Sequence, residues 1–485
     1  MASIEELREA RIKKLELLKE AGMDPYMAKC SRTHSISEAI VGFDILSSGN
    51  DVVTLSGRVI SLRGQGALIF FDITDGSGNF QCLLKKGEVK DELFKLFADA
   101  IDMADFVEVS GTLFRTKTNQ ETLLVKDWKI LTKSLQPLPE KWHGLQDVEE
   151  RFRKRYLDIL TTPELQELFI KKSKFWEVVR TFMKEKGFLE VETPTLEITT
   201  GGAEANPFKT HHKDFDLDVF LRISVGELWQ KRLMAAGFPK TFEIGRVYRN
   251  EGSSAEHLQE FTNMEFYLAY ANYKDGMKLV KELYQRIAID VFGTMKFKTG
   301  DFTFDLGGDW KEVDYRDEVL KQTGIDVLSA TDKEMADKLT ELGIKYEGSN
   351  RERLMDTLWK YCRKNIAGPV FLVHHPKLVS PLSKSCEDNK ELTERFQVVI
   401  AGSEVGNGFS ELNDPLDQRA RFETQQKLID RGDEEAMMPE WDFVEMLEHG
   451  MPPTCGFGFG ERLFSFMVDK PIRETQLFPL MKPKE

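Results

Sequence analysis

The chain of 485 residues, 41% hydrophobic and 31% charged, is long enough for two or three domains with full cores, and its composition excludes the disordered class. Its formal net charge of −14 argues against indiscriminate binding to nucleic acid, which needs a cationic face, and leaves room for an RNA partner read by shape. Five scattered cysteines without a Cys-x-x-Cys pair, a charged N-terminus and no long apolar run argue against a disulfide frame, a zinc cluster, a signal peptide and a membrane span, so the expectation is a cytoplasmic protein.

Residues 3 to 21 set Ile4, Leu7, Ile12, Leu15, Leu17 and Leu18 among many charges, with Gly22 just after. The spacing predicts a solvated helix with a narrow apolar seam inside an N-terminal helical segment, 1–48. From Val52 to Leu131, short β-rich runs broken by Gly and Asp turns enclose one helix-like piece near Glu88 to Ala100. That pattern over 49–137 suits an OB-fold barrel or another small barrel. Pro137 and Pro139 stiffen a linker, 138–150, before a larger domain, 151–485.

In that domain Leu165, Leu168, Phe169, Phe175, Val178, Val179, Phe182 and Met183 gather on one side of a helix capped by Gly187, and GFLEVETPTL reads as a strand ending at Pro194. The paired Gly201 and Gly202 let the backbone approach a ligand closely. His211 and His212 are adjacent on a strand, so they point to opposite faces and are read as structural.

Residues 242–270 form two strand-like runs around a polar loop. On the second run Thr262, Met264, Phe266, Leu268 and Tyr270 make a mostly apolar face, and Phe261, Asn263, Glu265, Tyr267 and Ala269 make the other. An interior face carries Glu265 beside two aromatics only where something cationic or hydrogen-bonding meets it, so that face is read as a site floor. Arg249 and Glu251 end the first run on one side; either they form an ion pair on an ordinary hairpin, or the arginine forks onto a phosphate and the carboxylate accepts from an amine while Phe261 stacks on a base.

A helix is expected over Tyr273 to Phe292, then mixed helices and turns over about 296–368. Farther on, Asn407, Phe409 and Glu411 share a strand parity, whereas Glu404 joins them only if a bulge falls near Gly406. Alternating Gly and Phe in CGFGFGER suggests close backbone approach to a ligand.

RNEG, then His257, then EFT and MEFYLAYA resemble motif 2 of class II aminoacyl-tRNA synthetases in the lysyl form, and the likeness covers nearly the whole chain. The resemblance implies an α+β chain: an N-terminal OB-fold β-barrel followed by a class II catalytic domain built on an antiparallel sheet flanked by helices, with an insertion at about 296–368. The helix, strand and proline ending at Pro194 resemble motif 1, implying a homodimer, and the glycine strand with Arg462 resembles motif 3. Family positions place the tRNA(Lys) anticodon on Arg63, Phe70, Gln81 and Asp127. They place ATP on Arg249, Glu251, His257, Phe261, Glu404 and Arg462, and L-lysine on Gly202, Glu227, Arg249, Glu265, Tyr267, Asn407, Phe409 and Glu411, with Glu227 and Gly202 at the α-amino group. Magnesium falls to Glu404 and, weakly, to Gln397, where the family usually carries an acid. Arg249 and Arg462 are the expected catalytic cations.

The implied reaction is attack of an amino-acid carboxylate on the α-phosphate of ATP, then transfer to tRNA. Such a carboxylate is already ionised at neutral pH, so catalysis rests on alignment and charge stabilisation rather than on a general base. Glu265 and Glu411, with Tyr267, suit a buried ammonium, which favours lysine over aspartate. Two other readings are a lysine ligase acting on a protein, whose relatives lack the OB domain, and an inactive RNA-binding paralogue. Glu256, an acid beside the phosphate loop, and a motif 3 glycine run one residue short are departures from the family pattern.

Overall fold

A computed structural model describes residues 3–139, 145–202, 205–252, 254–346, 350–431 and 436–484. The chain divides into two compact units, Met1–Thr162 and Pro163–Glu485. Part of the expected linker, residues 140–144, lies outside the described residues.

The first unit opens with helix α1 (Ile4–Glu20), started by a reciprocal capping box between Ser3 and Glu6. A closed five-stranded barrel follows, built from β1 (Val53–Gln65), β2 (Leu68–Thr74), β3 (Asn79–Lys85), β4 (Phe106–Arg115) and β5 (Glu121–Thr132) in the order β1-β2-β3-β5-β4. Helix α2 (Asp91–Ala100) lies between β3 and β4 in the chain. Period-two alternation fills the interior: Ile69, Phe71 and Ile73 of β2 and Cys82 and Leu84 of β3 point in, and Phe97 of α2 joins Phe71 and Trp128 there. This is the OB-fold arrangement, with the one parallel contact between β3 and β5.

The second unit begins with helix α3 (Pro163–Glu185), whose Phe175 packs edge-on against Phe459 and Phe464. Its eight-stranded sheet contains β6 (Leu189–Glu190), β7 (Lys240–Tyr248), β8 (Glu260–Ala269), β9 (Lys311–Asp314), β10 (Val370–Val373), β11 (Arg395–Ile400), β12 (Ser403–Ser410) and β13 (Thr454–Gly460). The order is β9-β10-β11-β12-β13-β8-β7-β6, antiparallel throughout the middle and parallel only at the two outermost pairs. Between β6 and β7 in the chain runs helix α4 (Glu227–Ala235), and after β8 runs helix α5 (Tyr273–Ile287).

Phe266, Phe396, Phe457 and Phe459 make one apolar face of this sheet, with Phe396 and Phe457 stacked at 5.6 Å, and Tyr284 of α5 closes over it by donating to Val405 O at 2.7 Å. Every second residue of β13 is therefore a large anchor, and the residues between them are free to be glycine on the opposite face.

One local expectation needs correction. GFLEVETPTL is strand only at Leu189–Glu190 and Leu196–Glu197, because Thr193 turns its N–H and hydroxyl onto Glu243 and Pro194 has no N–H to donate. The helix expected over Tyr273 to Phe292 is present, α-helical to Ile287 and π-helical over Ala288–Phe292. In the insertion, helices Tyr315–Thr323, Asp332–Glu341 and Arg351–Arg363 form their own core with Leu372 and Val399.

Candidate active site

The polar face of β12, β13 and β8 is the floor of a cavity of about 220 Å³. The register explains why β13 alternates glycine. Gly458 lies between Asn407 of β12 and Glu265 of β8, and Gly456 between Phe409 and Tyr267. A Cβ on Gly456 would overlap Glu411 Oε1 and stand 2.6 Å from Tyr267 Cε1; one on Gly458 would stand 2.8 Å from Glu265 Cγ. Glycine here makes room for side chains that converge from both neighbouring strands. The short run costs β13 nothing in regularity, since it pairs with β8 and β12 without a register shift.

The bulge on which Glu404 depended is present. Gly406 pairs with Val398 but Glu404 pairs with Val399, so Val405 is the extra residue and Glu404 turns to the cavity with Asn407 and Phe409. Gly202, Glu227, Arg249, Glu251, His257, Phe261, Glu265, Tyr267, Glu411 and Arg462 also line it. Gly202 has φ +109 and sits against Glu227 and Ser224, and the left-handed Gly226 starts α4 so that Glu227 opens the helix at the cavity wall.

One end of the cavity is a buried acidic chamber. Glu265 accepts from Val225 N at 2.7 Å, Asn263 Nδ2 at 3.1 Å and Tyr267 Oη at 3.2 Å. Glu227 and Glu411 share a single ammonium, that of Lys231 on α4, at 3.0 and 2.6 Å. Burial, then the charge of Glu227, pushes Glu265 up to about 7, and burial pushes Glu411 up to about 8 against the pull of Lys231. Burial also raises Glu227. Burial alone would lower Lys231, but Glu227 and Glu411 outweigh it and hold the ammonium charged.

The other end is cationic. Arg249 forks two donors onto Ile223 O at 3.3 Å, lies 5.5 Å from the Phe261 ring centre and makes no ion pair among the described residues. The ion-pair reading of Arg249 with Glu251 is therefore absent from the structure. Arg462 donates to Glu256 O at 3.2 Å and Glu404 O at 3.0 Å. His257 is lowered by burial and then by Arg462, and its Nδ1 meets Ser254 Oγ at 2.8 Å. Glu256 bonds Ser403 Oγ and lies 4.0 Å from Arg462, so it acts as a tether for the loop and a counter-charge for the arginine.

Gln397 pairs with Asn407 on the same face of the sheet but one strand beyond the cavity lining, and donates to Glu404 Oε2 at 2.8 Å while its own Oε1 is buried without a partner. Among the described residues no group of three or more His, Cys, Asp or Glu could hold a metal ion. One carboxylate with an amide oxygen behind it fits an ion that brings most of its oxygen ligands with it, as magnesium on a nucleotide does. His211 pairs with Asp218 at 3.0 Å and His212 stacks on Phe215, which leaves both structural.

On the barrel, Arg63 stands opposite Phe70, and Gln81 opposite both Asp72 and Thr122, so these three expected residues share one outer face. Arg63 reaches Asp72 at 3.4 Å, and Gln81 donates to Thr122 Oγ1 at 2.8 Å. Asp127 is farther along β5, opposite Ser110 and beyond a bulge, away from that row. Lys231 was not foreseen; its signal is the Glu227-x-x-x-Lys231 spacing, which puts both on one helix face.

The family of tRNA synthetases class II (D, K and N) matches residues 147–482, and the OB-fold nucleic acid binding domain matches residues 53–131. A "Lysine--tRNA ligase" of Roseiflexus castenholzii is 44% identical over 490 residues, covering 99% of this chain and 100% of the relative. Proteins with the same description from Thermotoga maritima and Pelotomaculum thermopropionicum are 42% and 40% identical, each over 99% of this chain and over 97% and 96% of their own length.

Proposed function

The chain belongs to the class II tRNA synthetases of the D, K and N group, and from that premise we infer that it activates lysine with ATP and transfers it to the 3′ end of tRNA(Lys). The observation that carries the choice of amino acid is the acidic chamber. Glu227 and Glu411 share the ammonium of Lys231 while Glu265 is buried in the same chamber, and the two charges left over match the two ammonium groups of lysine. Aspartate or asparagine would leave at least one carboxylate buried without a partner, a costly arrangement. The α-ammonium meets Glu227 beside Gly202. The ε-ammonium meets Glu411 and Glu265, with Tyr267 completing its hydrogen bonds and Asn407 and Phe409 lining the stem.

In the first step a lysine carboxylate oxygen bonds to the α-phosphorus as the bond from that phosphorus to the bridging oxygen breaks, and pyrophosphate leaves. Arg249 pairs with no carboxylate among the described residues and lines the cavity, so the donors not held by Ile223 O meet the α-phosphate and substrate carboxylate. Phe261 and Glu251 hold the adenine, and Arg462 and the neutral His257 meet the outer phosphates. Glu404 would hold magnesium, which neutralises phosphate charge when bound. In the second step the terminal ribose hydroxyl attacks the carbonyl carbon and AMP departs.

The barrel at 49–137 holds the anticodon, with Phe70 stacking on a base and Arg63 and Gln81 reading edges. Asp127 is kept as an outlying contact. The catalytic domain occupies 151–485. Exposed Leu189, Leu196 and Ile198, beside the motif 1-like helix, are the proposed homodimer contact. No helix among the described residues is long and apolar enough to cross a membrane, in keeping with a cytoplasmic place of work. The retained OB-fold unit and full-length likeness to lysine–tRNA ligases disfavour both the protein-lysine ligase and the inactive paralogue.

The test is lysine-dependent ATP–pyrophosphate exchange with aspartate, asparagine and arginine as controls, and Glu411→Gln alongside. Exchange with lysine alone, lost in the variant, is expected. Exchange with another of these amino acids, or none in folded protein, would overturn the assignment.

A further inference from the structure

Lys231 is 1% exposed, stands outside the cavity wall, and is not used by the chemistry above. It is nonetheless held with unusual completeness. Its Nζ donates to Glu227 Oε1 at 3.0 Å and forms an ion pair with Glu411 Oε2 at 2.6 Å, and the Phe409 and Phe443 ring centres lie 5.2 and 5.7 Å from it. A buried ammonium can keep its charge only with such partners, and the aromatic faces deny it any other position.

The two carboxylates it joins come from different elements, a helix and a strand that otherwise meet through the apolar core of Leu228, Phe409 and Phe443. Glu227 opens helix α4, and Glu411 follows the end of strand β12 on the far side of the chamber. One nitrogen therefore ties the helix end to the strand end. In the functional reading above, on which this inference rests, Glu227 meets the α-ammonium of the substrate and Glu411 the ε-ammonium.

We propose that Lys231 is a positioning residue that fixes the distance between the α-ammonium and ε-ammonium subsites, and so selects lysine against diamino acids one methylene shorter or longer. The strut acts through the carboxylates, not on the substrate. Ornithine anchored at Glu227 stops short of Glu411, and homolysine must buckle or displace it. A fitted pocket discriminates a single methylene by about 10- to 200-fold, the range within which the effect is expected.

The experiment measures kcat and KM for lysine, ornithine and homolysine in ATP–pyrophosphate exchange, with the full-length parent, Lys231→Met and Lys231→Arg. For the parent, kcat/KM for each homologue should be at least about tenfold below that for lysine. In Lys231→Met the lysine-to-ornithine ratio should fall about tenfold or more, through KM, with the KM for ATP unchanged. Lys231→Arg keeps the charge with a longer bridge, so ornithine stays excluded while homolysine gains on lysine. A role confined to folding would depress all three substrates alike, and unchanged ratios in either folded variant overturn the proposal. Should neither variant fold by circular dichroism, the parent decides: equal use of a homologue and lysine rejects the strut. A folded parent inert toward all three would instead reject the lysine assignment itself, so the two failures are told apart.

Discussion

Raising the pH from about 6 to about 8 should tighten lysine binding, because the acidic chamber must surrender protons to take a dication-bearing substrate. Glu265 and Glu411 are pushed up to about 7 and about 8 by burial, with Glu227 raised beside them. The other charged or titratable groups that act on these three include Lys231, Arg249, Arg395, Glu243, Tyr267, Cys455 and Glu197, the last itself pushed up to about 8 by burial. At about pH 6 both Glu265 and Glu411 hold a proton in the free chamber, and both must ionise to pair with the substrate. Each released proton changes affinity about tenfold per pH unit. From the two values, the lysine Kd should fall on the order of several hundred-fold between about pH 6 and 8, then level off above about pH 9. The fold feels the opposite sign: groups raised from an ordinary 4.5 stabilise it fully below that value and cease to do so as pH rises through about 7 and 8. Lysine should consequently protect the folded protein more at the alkaline end. Titration calorimetry in buffers of different ionisation heat counts the protons directly. A flat Kd with no proton release across this range would show that the carboxylates are already ionised and would refute the reasoning.

Gly456→Ala places a methyl group against Glu411 and Tyr267, so it should cost about 1–3 kcal/mol of lysine affinity. ATP binding by the variant should be near normal, and a parental lysine Kd would contradict the geometry of the floor. Phe70→Ala should weaken tRNA binding by about 1–3 kcal/mol, the worth of one stacked base, and leave ATP–pyrophosphate exchange untouched; equal loss of both reactions would remove Phe70 from the anticodon face. Gln397→Glu puts a second carboxylate at Glu404, in place of an amide donor 2.8 Å away, and should lower the magnesium concentration needed for half-maximal exchange. An unchanged requirement would separate Gln397 from the ion.

What could be read in the sequence, and what could not, divides by whether a period or a distant partner decides the outcome. The two faces of β8 are a period-two property, so Phe261, Asn263, Glu265 and Tyr267 could be assigned to one side before any partner strand was known. The glycine alternation of β13 has the same origin, with Phe457 and Phe459 anchoring one face and the site filling the other. Parity fails at bulges. Glu404 reaches the cavity only because Val405 is inserted, and Asp127 turns outward only because Lys126 is an extra residue between Val125 and the inward Trp128. Parity also could not show that Asp127 would end up away from Arg63, Phe70 and Gln81, since that depends on which strand lies opposite. Lys231 is the sharper case. A Glu and a Lys four apart on a helix are ordinarily a solvated pair worth a few tenths of a kcal/mol, and nothing local distinguishes Glu227 and Lys231 from such a pair. Their significance comes from Glu411, a residue distant in the chain that arrives by β12 and leaves the ammonium no contact with water. A residue whose role is to hold two others apart carries no motif of its own, because the constraint it enforces belongs to the distance between elements and not to any stretch of sequence.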